Sequence, residues 1–212
     1  MSATGSKPQT PRKRRQYMPA EERRRHILEA TREVFARLGL KGARTRELAQ
    51  AAGINQATLF EHFKSKEELF IAAVVEPLEA LMEGSRERAL ELAKAGSMDD
   101  RMSLSQQGFK VHLESMLETY PLLVQALFSD RELGEKLYRE QIVPLLQARA
   151  ETMQDFVKEG LDPHLVQVAS FGMIFAVAMD AAMTDTTPDL ANISRQLTDL
   201  ITLGCARNPE KE

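Results

Sequence analysis

Apolar side chains recur at helical spacing along most of the chain, and no alternating strand pattern interrupts them. From Ala20 onward, Ile27, Thr31, Val34, Phe35 and Leu38 share one helix face at i, i+4, i+7, i+8 and i+11, and Gly39 is expected to stop that helix. Residues 44–63 hold two helices too short to persist alone. Leu48, Ala52, Ile54, Leu59 and Phe63 supply their inward face, Ala49 allows close approach, Gly53 takes the sharp turn and Asn55 caps the second helix. Ser65 to Glu68 reads as a capping box, with Glu68 reaching back, and opens a long helix to about Lys94, bent at Pro77 and ended by Gly96-Ser97. Further helices are predicted over about 101–119, 121–128, 130–159, 163–184 and 188–205. Ser129 opens a second capping box, and Asp162-Pro163 and Thr187-Pro188 each place a capping side chain before a proline at the first helical position. The expected fold is all-α: a three-helix helix-turn-helix domain over 19–66 and a helical bundle over 67–206, with 1–18 as a disordered basic arm and 207–212 as a tail.

Charge sharpens this division. Through Lys66 there are fifteen basic and six acidic side chains, a balance of +9, and the total of −3 leaves −12 for the remainder. One third of the chain suits a polyanion and the rest does not. Apolar residues at 43% and charged residues at 28% fit a folded globular chain. The lone Cys205 cannot close an internal disulfide, which points to a reducing compartment, and it could sense oxidants only if exposed. No apolar run is expected to reach the roughly 18 residues that span a bilayer. The basic start is not followed by an apolar segment, so it is not a secretory signal. The expectation is a cytoplasmic protein with no membrane association.

In a helix-turn-helix the second helix enters the major groove of double-stranded DNA. Its outward residues here are Gln56, Ala57, Thr58, Phe60, Glu61 and His62. Gln can bond adenine through two hydrogen bonds, Ala and the Thr methyl can touch the thymine methyl, and Arg46 on the first short helix could read guanine.

The run from Leu38-Gly39 through Thr45-Arg46-Glu47-Leu48-Ala49, Ala52-Gly53-Ile54 and Thr58-Leu59-Phe60-Glu61-His62-Phe63-Lys64-Ser65-Lys66-Glu67-Glu68-Leu69 resembles the N-terminal domain of the TetR family of bacterial transcriptional regulators. The resemblance covers about residues 21–70; the later helices fit only in length and class. It implies DNA contacts from Arg46, Gln56, Ala57, Thr58 and His62, and a phosphate contact from Lys66 at a helix N-terminus. Arg44, Thr45 and Phe60 complete the expected DNA surface. Two positions depart from the family pattern. Phe60 stands where a phosphate-bonding tyrosine is usual, and Arg44 replaces a Thr or Ser cap, leaving Glu47 without its usual capping-box partner. The basic cluster Arg12-Lys13-Arg14-Arg15 could reach the minor groove or serve as a solubilising tail.

Beyond residue 70, stripes such as Phe109, Leu113 and Met116, then Met153, Phe156 and Val157, then Phe171, Phe175 and Met179 are first of all a core. The resemblance implies a small-molecule effector site among these helices, with Phe109, Leu113, Met116, Met153, Phe171, Phe175 and Met179 as candidate lining. It also implies a homodimer formed by the last two helices, for which Ala169, Gly172, Ala176, Leu197, Leu200 and Ile201 are candidates. The function so implied is a repressor released from a pseudo-palindromic operator by an unknown small molecule. The alternative is a DNA-binding architectural or localisation factor without an effector, whose C-terminal helices bind a protein partner. No cofactor, metal or catalytic constellation is expected: the four histidines lack ligand spacing, and no P-loop, dinucleotide fingerprint or nucleophile elbow occurs.

Overall fold

The computed structural model describes residues 18–204; nearly all of the predicted arm, Cys205 and the tail lie outside the described residues. The helices are α1 Ala20–Gly42, α2 Thr45–Ala51, α3 Gln56–His62, α4 Lys66–Lys94, α5 Met98–Phe128, α6 Arg131–Leu137, α7 Val143–Met153, α8 Pro163–Thr184 and α9 Leu190–Thr198. No strand occurs among the described residues.

Several boundaries differ from expectation for identifiable reasons. Gly39 (φ 64°, ψ −179°) leaves helical geometry and ends the first helical run of α1 as expected, but one further turn, 40–42, follows across the kink before Ala43 N–H bonds the Gly39 carbonyl. Leu38, just before the kink, is exposed while Ile27, Thr31, Val34 and Phe35 are buried. The two helices expected over 101–128 are one, because buried Met116, Tyr120 and Leu123 carry the packed face straight through Pro121. Asp130, not Ser129, caps α6, accepting from Leu133 N–H at 3.1 Å. The helix expected over 130–159 widens into a π-turn at Tyr138–Ile142, just before Pro144, whose missing N–H and bulky ring disrupt the regular ladder. It then ends in a 3₁₀ turn at Gln154–Phe156, followed by extended Val157. Asp189, not Thr187, caps α9 by accepting from Asn192 N–H, and α9 runs on as a π-turn over Asp199–Leu203.

A single apolar cluster extends from Ile27 to Leu197. The expected boundary at 66/67 falls on the first turn of α4, and the Phe70 ring meets Phe35 of α1 edge-on at 5.0 Å. The helix-turn-helix and the bundle therefore share one core, with α4 running through both. Pro163–Thr184 corrects the expectation about apolar runs: with a mean hydropathy of 1.7 this helix is long and apolar enough to cross a membrane. Its composition has a structural reason. One face, with Val166, Ile174 and Ala178, is buried in the protomer, while Leu165, Ala169, Gly172, Ala176, Met179 and Met183 form an exposed stripe on another.

Candidate nucleic-acid interface and interior cavity

The turn between α2 and α3 is built by local chemistry. Gly53 takes φ 64°, Ile54 N–H bonds the Ala49 carbonyl at 2.9 Å, and Asn55 Oδ1 accepts from Thr58 N–H at 2.8 Å. Leu48, Leu59 and Phe63 anchor the pair in the core. Two contacts from α1 were not anticipated. His26 Nε2 lies 3.2 Å from the Ala52 carbonyl. Arg24 stacks over the Phe63 ring at 4.8 Å and forms an ion pair with Glu76 of α4. Arg24 thus serves the fold as well as the basic charge of this end.

Held this way, Arg44, Arg46, Gln56, Ala57, Phe60 and Glu61 are exposed, and Thr45, Thr58 and His62 are half-buried on the same unit. Glu47 does not lose its capping role: it accepts from Arg44 N–H at 3.0 Å, a bond that needs only the backbone. Glu68 reaches back to Lys64 N–H at 2.8 Å, while Ser65 Oγ accepts from Glu68 N–H. Lys66 is not a free cation, since its Nζ donates to the Ala43 carbonyl at 2.9 Å.

Farther along α4, a cavity of about 160 Å³ lies among α4, α5, α7, α8 and the π-turn that follows α9. Of the candidate lining residues, Phe109, Met116, Met153 and Phe171 face it. Three do not. Leu113 is fully buried in the core behind it, Phe175 packs on Tyr120 and Phe171, and Met179 is exposed on the outward stripe. Among the candidate dimer residues, Ala169, Gly172, Ala176 and Leu200 are exposed. Leu197 is buried within the protomer, and Ile201 lines the cavity.

The polar side chains of the cavity were missed. His112 places Nδ1 2.6 Å from the Gly108 carbonyl and Nε2 3.4 Å from Ser85 Oγ. Burial, reinforced by the Arg149 charge, pulls its pKa down to about 3, so it is neutral near pH 7. Arg88 donates to Ser85 Oγ at 3.1 Å, and burial lowers its pKa. Arg149 Nε donates to Gln167 Oε1 at 2.7 Å, joining α7 to α8. A signal for these residues was present: Arg149 sits at i+3 from Leu146 and four before Met153, and His112 lies between Phe109 and Met116, so each interrupts an apolar face. Among the described residues no three His, Cys, Asp or Glu side chains stand together as metal ligands.

The family model for bacterial regulatory proteins of the tetR family matches residues 27–73. The chain is 26% identical over 167 residues to the HTH-type transcriptional activator FasR of Mycolicibacterium smegmatis, covering 78% of this chain and 73% of that one. It is 32% identical over 98 residues to the HTH-type transcriptional repressor AcnR of Corynebacterium efficiens, covering 46% of this chain and 52% of the relative. The crystal structure of the transcriptional regulator FadR from Bacillus subtilis in complex with stearoyl-CoA superposes with a TM-score of 0.63 at 23% identity, covering 85% of this chain and 98% of that one.

Proposed function

Because this chain belongs to the TetR family of bacterial transcriptional regulators, we propose that it is a homodimeric repressor that leaves a pseudo-palindromic operator when a small molecule fills the cavity. It is a DNA-binding regulator of transcription and not an enzyme. Its working place in this reading is the cytoplasm, on DNA.

The observation that carries the reading is the continuity of α4. Its 29 residues span roughly 43 Å. Lys66 at one end is bonded to the helix-turn-helix, while Ser85 and Arg88 toward the other line the cavity. A ligand that pushes α4 therefore moves the recognition helix. Arg46, Gln56, Ala57, Thr58 and His62 meet bases and phosphates in this reading, Arg44 and Thr45 flank them, and Phe60 packs against the sugar-phosphate backbone without a phosphate bond. Lys66 keeps two ammonium protons for phosphate while holding Ala43 with the third.

The exposed stripe of α8, with Leu200 beside it, supplies the two-fold contact, and a dimer sets the recognition helices about one DNA turn, roughly 34 Å, apart. Release follows from linkage: an effector that weakens DNA binding must itself bind more weakly to the DNA-bound protein. The repressor AcnR and the stearoyl-CoA complex of FadR support repression and an effector in turn. The cavity weighs against an architectural factor without a ligand.

Selection of duplexes from a random pool tests this. An enriched inverted repeat bound by two protomers is the expected result. Recovery of no common sequence, with only a steep loss of binding as salt rises, would overturn it.

A further inference from the structure

The cavity has a chemically one-sided lining. Arg88, Arg101 and Arg149 all contribute to it, and among the described residues no aspartate or glutamate does. Arg149 uses Nε on Gln167, but its Nη1 is sealed from solvent and has no hydrogen-bond partner. Nε of Arg101 is likewise sealed and unpaired, with its guanidinium 5.9 Å from the centre of the Phe156 ring. Burial and the neighbouring Arg88 charge bring the Arg149 pKa down to about 10, still high enough to keep it charged near neutrality. His112 is held neutral and adds no counter-charge. A guanidinium withdrawn from water without a carboxylate is costly, and an anion entering the cavity would relieve that cost. The rest of the lining is mostly apolar, with Leu78, Met82, Phe109 and Ile174 among it, and its remaining polar groups, such as Ser105, Ser170 and Thr202, are uncharged.

Size narrows the choice. A dry apolar cavity of about 150 Å³ accommodates a ligand such as benzene, and the volume here is about 160 Å³. We propose that the cavity takes a compact amphipathic carboxylate, an apolar body of about six to eight carbons whose single carboxylate pairs with Arg149. The planar guanidinium matches the two carboxylate oxygens, with Nη1 supplying the first donor. A cationic ligand meets three like charges and is excluded. This rests on the reading of the cavity as the effector site and adds the effector's chemistry.

The test uses the full-length protein with octanoate, octan-1-ol, octylamine and octanoyl-CoA, read by titration calorimetry and by release of the selected operator. Octanoate is expected to bind at least about tenfold more tightly than octan-1-ol, the worth of a charge-assisted pair over a neutral one. Octylamine should not bind. Arg149→Gln should weaken octanoate about tenfold or more and leave octan-1-ol unchanged, and Arg149→Lys should recover part of the loss.

Equal binding of octanoate and octan-1-ol, preference for octylamine, absence of binding by every probe, or tight octanoyl-CoA binding indifferent to Arg149 overturns the assignment. If Arg149→Gln does not fold, the ligand series on the wild type still decides. Arg149-dependent octanoate binding without operator release upholds the assignment and overturns the release mechanism. Release by octan-1-ol as readily as by octanoate does the reverse.

Discussion

Lys66 Nζ donates to the Ala43 carbonyl across 2.9 Å, so the first residue of α4 holds the residue on which α1 ends. Ala43 is almost fully buried and Lys66 half-buried, so the bond closes the edge of the core, and a methionine at 66 would cover the carbonyl without a donor. Lys66→Met should destabilise the fold by about 1–2 kcal/mol, the cost of an unsatisfied buried carbonyl, read as a lowered urea midpoint. Since Lys66 also faces phosphate in the proposed complex, the slope of log affinity against log salt should fall by about one. A normal melt with a reduced slope would assign Lys66 to DNA alone.

His112 makes stability depend on pH in a definite direction. It stays neutral in the folded protein down to about pH 3, beside the Arg149 and Arg88 charges. The unfolded chain takes up a proton below its ordinary value near 6.5, so protons favour unfolding between about 6.5 and 3. At pH 5 this removes about 2 kcal/mol of the stability present at pH 7.5. Urea melts of wild type and His112→Leu at the two pH values check it, with a smaller pH difference expected in the variant.

Gly134 of α6 lies where α6 folds back on the end of α5. A Cβ there would sit 2.1 Å from the Leu127 carbonyl oxygen, a backbone atom that cannot swing away. Gly134→Ala should cost about 3 kcal/mol despite the better helix propensity of alanine. Gly172 of α8 has no atom within 4 Å of the same position. Gly172→Ala should leave the unfolding midpoint of a monomeric variant unchanged or slightly raised.

The exposed α8 stripe gives a separate test of assembly. Ala176→Glu places a carboxylate in the proposed two-fold contact without touching the protomer core. Sedimentation should show the wild type at twice the 23.8 kDa chain mass and the variant at the chain mass. Equal dimer formation in both would remove α8 from the interface.

The helix-turn-helix was legible because its determinants are local. The Gly53 turn, the Asn55 cap and the Ser65 cap each act within four residues, and all three formed as expected. Pro121 misled for the opposite reason: its local tendency to end a helix is overridden by packing of Tyr120 and Leu123, which only the assembled bundle supplies. The cavity was half-legible. Phe109, Met116, Met153 and Phe171 line it, but a one-helix pattern cannot separate a face turned to the core from one turned to a void. That is why Leu113, Phe175 and Met179 were misplaced, and why Arg149 went unnoticed on an apolar stripe whose partners come from four other helices.

The most direct measurement is the ratio of affinities for the selected operator and a scrambled duplex over a range of salt, for the wild type and for Gln56→Ala combined with Thr58→Ala. If α3 reads sequence, the wild-type ratio should be about 10³ or more. Both affinities should then fall with salt at similar slopes, and the double substitution should lower the ratio while leaving scrambled binding nearly unchanged. A wild-type ratio near one at every salt concentration, or a ratio indifferent to the double substitution, would contradict it.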